Sequence, residues 1–250
     1  DRLVNDRFAT LTVEQAALYQ KTLTEMMQRL ITLESKAKEE GIDAKAIRRA
    51  LVLKLITSLK QICNSPSQYL KTETDVPDSG KGTMDLLSQN FEVSRKVLIF
   101  TQYREMGKRL QGWIEKCLNE KALFLHGTVS VKERMNMVDR FQNDPTVRVM
   151  ILSLKAGGTG LNLTAASSVI HYDLWWNPAV ESQATDRAYR IGQKRDVLVY
   201  RFVTAGTFEE KINEMLASKK ELADLTVNVG EKWIGDLSSE ELNRVLKLSV

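Results

Sequence analysis

Cysteine and histidine are nearly missing from this 250-residue chain: Cys63, Cys117, His126 and His171 are all it has. Two cysteines give no disulfide framework, and these four side chains do not make a zinc-type ligand cluster. Proline is also scarce, at four residues. No apolar run approaches the ~20 residues of a membrane span, and no signal peptide is visible. The expected setting is therefore a reducing, intracellular one. A large excess of one charge is lacking as well. The net charge of +4 and pI near 8.9 are compatible with nucleic acid without pointing to it.

What is present is enough apolar residue, 43%, to bury a core in two sub-domains. The chain starts at Asp1, without methionine, in sequence that reads as helical, as expected of a fragment of a longer protein. Thr12 and Gln15 have capping-box spacing and open a helical pattern that runs to Gly41. Asp43 is placed to cap a second helix whose Ile47, Leu51, Leu55 and Leu59 form one stripe, ending at Asn64-Ser65-Pro66. The two helices read as an antiparallel pair, and Lys71 to Gly82 as a linker or loop.

From Lys96 the period changes. "KVLIF", "ALFLH", "VRVMILS", "SVIHYD" and "VLVYRFV" are short β-rich runs, separated by helical segments Tyr103 to Leu118, Val131 to Phe141, and from Pro178 and Phe208. Alternating strands and helices predict a parallel α/β sheet. "SSEELNRVL" reads as a final short helix with a Ser-x-x-Glu start.

Asn177-Pro178 is a strong helix start and Gly192 a stop. On a helix between them Gln183, Arg187 and Arg190 share one face, rich in N–H donors. The plainest reading is a solvated face with Arg190 paired to Asp186. The helix start, however, follows a strand and so lies near the carboxyl ends of the sheet, where α/β folds bind ligands. An arginine pair there suits a phosphate.

The chain lacks a loop to found a phosphate site. The nearest match to G-x-x-x-x-G-K-S/T is "SGKGT", Ser79 to Thr83, which has Asp75 for the first Gly, Gly82 after the Lys and no buried strand before it. No D-E-x-H strand for magnesium appears either. "KAGGTGLN" follows a strand, but a Gly-rich turn alone is a weak signal. The arginines are thus expected to reach a nucleotide held by another domain.

Taken in order, "KVLIFTQY", "HGTVSVKER", "SLKAGGTGLNLTAAS" and "WWNPAVESQATDRAYRIGQ" resemble motif IV, the following His-Gly motif, motif V and motif VI of the C-terminal RecA-like lobe of Swi/Snf-type ATPases, a superfamily 2 branch. "LKQICNSP" resembles a segment of that branch's helical insertion. Leu154-Lys155 stands where Thr-Arg is frequent, and Ser65 where His is common.

The resemblance implies a RecA-like parallel sheet flanked by helices, without its own P-loop and with an inserted helical sub-domain. Its expected bounds are 1–90 for the insertion and linker, 91–222 for the lobe and 223–250 for a C-terminal helical extension. It implies ATP with Mg2+, whose founding ligands sit on an N-terminal RecA-like lobe of the same protein, and double-stranded DNA as the track. Arg190 would be the main arginine finger and Arg187 its partner, and Gln183 would orient one of them or touch the nucleotide. A finger is worth ~10³–10⁵ in rate, or about 4–7 kcal/mol. Gly160 and Asn162 would lie near the nucleotide. Thr101, Gln102, Thr128, Ser153, Lys155 and Gly158 would meet the DNA backbone. His126 is expected to hold its loop, Trp175 and Trp176 to pack, and Arg134 to form an internal ion pair. The alternatives are a strand-separating helicase lobe and a non-catalytic DNA-binding or interaction module.

Overall fold

The computed structural model describes residues 1–153, 160–218 and 230–249. They form two compact units, each assembled from separate stretches. One comprises Asp1–Ala9, Glu73–Pro77 and Lys81–Val203; the other comprises Thr10–Thr72, Asp78–Gly80 and Thr204–Val250. These divisions differ from linear bounds at 90 and 222.

The first unit is a six-stranded sheet of β1 (Arg2–Ala9), β2 (Lys96–Phe100), β3 (Ala122–His126), β4 (Val149–Ser153), β5 (Ala166–His171) and β6 (Val197–Thr204). Its order is β1-β6-β5-β2-β4-β3. The pairs β2–β4, β2–β5, β3–β4 and β5–β6 are parallel. Val197 N–H donates to Asp1 O at 2.9 Å and Arg201 pairs with Asp6, so β1 runs the same way along β6. Parallel neighbours need crossovers. These include α5 (Arg104–Leu118), α6 (Val131–Asn143) and α7 (Pro178–Thr185).

Strand alternation divides the core. Val97, Ile99, Val149, Ile151 and Ile170 pack with α4 (Thr83–Glu92) and α5, while Leu98, Phe100, Met150, Leu152 and Val169 pack with Phe141 of α6 and Ala184 of α7. Each fully buried side chain of this size stabilises by about 1.5–3 kcal/mol. At Gly107 on α5, a Cβ would sit 2.2 Å from the Phe124 ring, so only glycine lets α5 lie this close to β3.

Two elements here depart from the sequence reading. Residues 2–9, expected as helix, are an edge strand. Their Leu3, Val4 and Phe8 are about half exposed, so the strand has no buried face to announce it; pairing with β6 defines it. Helix α4 begins at Gly82 with φ 63° and no capping side chain, so it carries no start signal.

The second unit is helical. α1 (Val13–Glu40) opens with the capping box of Thr12 and Gln15 and ends at Gly41. α2 (Lys45–Asn64) runs back along it. Gln15 Nε2 donates to Ile62 O at 2.9 Å and Cys63 O at 3.0 Å, capping the far end of α2, and Arg48 meets Glu34 at 2.7 Å at the other end. Asp43, expected as the cap of α2, accepts from Lys45 N, but the cap position itself is Ala44, which has no capping side-chain bond. Ile47 departs from the expected stripe and is 57% exposed. A strict four-residue repeat drifts by about 40° per step on a 3.6-residue helix. The buried face is instead Val52, Leu55, Ile56, Leu59 and Ile62. α3 (Pro66–Leu70), α8 (Phe208–Ser218), a 3-10 turn (Gly230–Asp236) and α9 (Ser239–Leu246) complete this unit. Buried Tyr19 donates to Leu246 O at 2.5 Å and accepts from Phe208 N at 3.3 Å, tying α9 and α8 to α1.

Candidate functional site

The predicted residues that the structure describes lie toward the carboxyl edge of the sheet, within the first unit. Just past β2, Thr101 is fully buried. Its N–H donates to Leu152 O at 3.1 Å and its hydroxyl to Asp173 at 2.6 Å, while Gln102 N–H donates to the other Asp173 oxygen at 2.8 Å. Thr101 is therefore corrected from a surface contact to a residue that shapes the loop. Gln102 stays half exposed, its amide 3.3 Å from Leu174 O. Asp173, which sequence reasoning passed over, is the fully buried carboxylate organising this corner. Its only signal was an acid ending the apolar strand "SVIHYD".

Next along the edge, Ser153 pairs in register with His126, and exposed Thr128 has its hydroxyl 3.0 Å from His126 Nδ1. Burial holds the His126 pKa below its usual value, and Arg104 and Lys108 push it further down. It is thus neutral at pH 7 and fixes its own loop. Lys155 and Gly158 lie outside the described residues.

The arginines sit differently from expectation. Asn177 caps α7 through Ala179 N at 3.0 Å, with Pro178 at the first position. The helix ends at Thr185, not at Gly192. Continuing it would need the Arg187 and Ala188 carbonyls to accept from residues 191 and 192. Leu163 N–H takes the first at 2.9 Å, and the Gln193 side chain takes the second at 2.9 Å. Residues 186–193 become a run of turns. Gln183 is exposed on α7, off any common helix face with the two arginines.

Arg187 is 7% exposed, its guanidinium 5.8 Å from the Phe100 ring centre. Burial lowers its pKa from the ordinary value, as do the charges of Arg190 and Arg134. Arg134 Nε is buried and has no hydrogen-bond partner, and no ion pair joins it among the described residues. The expected internal pair is absent there. Arg190 is exposed and donates to Gly160 O at 3.2 Å. A Cβ at Gly160 would lie 2.9 Å from its Nη2, so a larger residue there would shift the guanidinium from this seat. Asp186 pairs with Arg2 at 3.3 Å, not with Arg190. Asn162 is exposed beside Leu163.

The arrangement is a set of guanidinium groups close enough to repel one another at a sheet edge, suited to an anion. Lys81 of "SGKGT" is unsuited to that task. It is 3% exposed, its ammonium given to Tyr172 O and lying 4.3 Å from the Tyr172 ring centre. Among the described residues no group of three His, Cys, Asp or Glu is placed to hold a metal ion, and no helix is long and apolar enough to cross a membrane.

The family model described as the helicase conserved C-terminal domain matches residues 82–192. The putative ATP-dependent helicase/translocase YwqA of Bacillus subtilis is 44% identical over 256 residues, which is 100% of this chain and 26% of that protein. The DNA excision repair protein CSB of Oryza sativa is 35% identical, covering 82% of this chain and 17% of its own length. The chain thus spans about a quarter or less of these relatives. The Sulfolobus solfataricus SWI2/SNF2 ATPase C-terminal domain is 37% identical with a TM-score of 0.82, each chain covering 100% of the other. The SWI2/SNF2 ATPase core of the same organism in complex with dsDNA is 39% identical with a TM-score of 0.86, over 100% of this chain and 51% of that one.

Proposed function

The chain belongs to the SWI2/SNF2 ATPase family, matching its C-terminal domain from end to end, and from that premise we propose that it is the second motor lobe of an ATP-dependent translocase on double-stranded DNA. The nucleotide is founded on an N-terminal RecA-like lobe, and this lobe closes on it. Arg190 and Arg187 meet the γ-phosphoryl group. A guanidinium fork stabilises the charge that spreads over those oxygens in the transition state. The residues present fit the phosphate end of ATP with Mg2+, since they are donors and cations; the magnesium ligands belong to the other lobe. When bound, Mg2+ neutralises charge on the phosphate oxygens. Gly160 holds Arg190 through its carbonyl, Asn162 borders the nucleotide, and exposed Gln183 orients the closing surface.

DNA phosphates meet Gln102, Thr128 and Ser153, joined by Lys155 and Gly158. Hydroxyl and amide donors suit a track that must be gripped and released without reading bases. Remodelling of protein–DNA complexes follows from translocation.

The observation that carries the reading is Arg190: exposed, at the carboxyl edge, with its local acid Asp186 engaged elsewhere. Its test is ATP turnover by the full-length protein with and without double-stranded DNA, for wild type and Arg190→Ala. DNA should stimulate the wild type, and the variant should lose ~10³-fold or more in turnover while still binding DNA. Normal hydrolysis by the variant would overturn the reading. This chain alone, without the founding lobe, should show no steady hydrolysis.

A further inference from the structure

One amide ties the arginine turn to the segment that precedes β5. Gln193 Nε2 lies 3.1 Å from Thr164 O, 2.7 Å from Ala166 O and 2.9 Å from Ala188 O, and its Oε1 accepts from Arg195 N at 3.0 Å. Its backbone N–H donates to Arg190 O at 3.0 Å. The amide orientation is set by these partners, with carbonyls facing the nitrogen and an N–H facing the oxygen. Two hydrogens serve three carbonyls, so one is shared. Ala188 stands between the two arginines, and Thr164 to Ala166 leads into the central sheet. The turn from 186 to 193 has no helical ladder of its own to hold it. Its other ties to this segment include Leu163 N–H to Arg187 O, the packing of Ala188 with Leu163 and Ala166, and Arg190 to Gly160 O, the last of which is exposed.

We propose that Gln193 is a positioning residue for Arg190: it stitches the turn that presents the guanidinium to a rigid strand entry, so that the guanidinium is aimed before nucleotide arrives. This rests on Arg190 being the group that meets the nucleotide. Gln193 touches no reacting atom. It acts by removing the freedom of a turn whose misplacement by an ångström costs ~10²-fold in rate.

The test is a double-mutant cycle in the full-length protein, reading kcat and KM for ATP with saturating double-stranded DNA and the melting temperature of each variant. Gln193→Ala should lower kcat about tenfold and leave KM for ATP little changed, as expected for aim rather than binding. Gln193→Glu keeps the shape but loses both N–H donors and sets a carboxylate among carbonyls, so it should lose more. Arg190→Ala should lose ~10³-fold, and adding Gln193→Ala to it should lose well under a further tenfold, the remainder acting through Arg187. A double variant that loses the product of the two single losses overturns the proposal, as does a Gln193→Glu protein with wild-type kcat. A purely structural role would lower the melting temperature and leave the rate losses multiplicative. Undiminished turnover by Arg190→Ala would remove the finger reading itself, and with it any purpose for Gln193; that single variant separates the two failures.

Discussion

The helix pair α1–α2 and the arginine turn at 186–193 obey the same hydrogen-bonding rules with opposite outcomes. In the pair, local signals settle the matter. Thr12 and Gln15 cap where their spacing says they should, Gly41 ends α1, and α2 stops before Pro66. In the turn, an equally good start at Asn177-Pro178 leads to a helix that stops at Thr185, seven residues before the glycine expected to end it. The difference lies in where the carbonyls go. Those at the end of α2 are met by Gln15, which leaves the helix complete, whereas those of Arg187 and Ala188 are captured by Leu163 and Gln193 before a helix can use them. A scaffold follows its local code; a site is where distant partners override it.

The sharpest way to separate the two regions is to compare what each controls. Arg190→Ala should cost ~10³-fold in turnover, about 4 kcal/mol of barrier, with no change in melting temperature, since an exposed guanidinium on Gly160 O stabilises the fold little. Gln15→Ala should do the reverse. It leaves two buried carbonyls unmet and removes half of a capping box, costing about 2–3 kcal/mol in denaturant unfolding. Turnover per folded molecule should stay near wild type. A Gln15→Ala protein that is stable but slow would break the division.

A proton offers the next test. Thr185 Oγ1 donates to Glu181 O at 3.0 Å, so the 3.0 Å contact from His171 Nε2 to Thr185 must be donated by the histidine. That leaves Nδ1 bare and buried without a partner. Burial lowers the His171 pKa most; Glu181 and Asp173 pull it up, and Arg201 and Arg2 push it down. The folded form therefore binds fewer protons than the unfolded one below the ordinary histidine value of about 6.5. Stability is full above that pH and falls as pH drops through it, by up to ~1.4 kcal/mol per unit. Unfolding titrated from pH 7.5 to 5 should show this slope, and His171→Leu should flatten it. His126, also lowered, adds a shallower contribution in the same direction. An unchanged slope in the variant would place the titration elsewhere.

How far sequence carried the structure depends on whether a segment's partners are near it in the chain. β2 and β4 announce themselves because burial on both faces leaves near-continuous apolar runs. β1 does not, because an edge strand with Leu3, Val4 and Phe8 half exposed is defined by β6, almost two hundred residues away. At the candidate site the sequence points to donor-rich residues but not to their geometry. Arg187 and Arg190 stand out by type and spacing, but what holds their turn, Gln193 and Leu163, is a long-range arrangement without a spacing rule. Thr101 shows the converse. A threonine after a strand looks like a surface donor until Asp173, seventy-two residues later, takes its hydroxyl.

The smallest effects sharpen the comparison most, because they use one chemistry in two places. Ser238 caps α9 through Glu241 N at 3.2 Å, and Asn177 caps α7 through Ala179 N at 3.0 Å. Each cap should be worth about 1 kcal/mol. Ser238→Ala should show that loss in unfolding and nothing in turnover, since α9 packs on α1 and α8 within the helical unit. Asn177→Ala should lose a similar stability but also several-fold in kcat, because α7 feeds directly into the arginine turn and the backbone N–H of Arg187 is bonded to its Ala184 O at 3.2 Å. Fraying at its start loosens the base on which the guanidinium groups are aimed. Equal turnover for the two variants would mean that the stitching at Gln193 and Leu163 alone fixes the turn, and that α7 is only the route by which the chain arrives there.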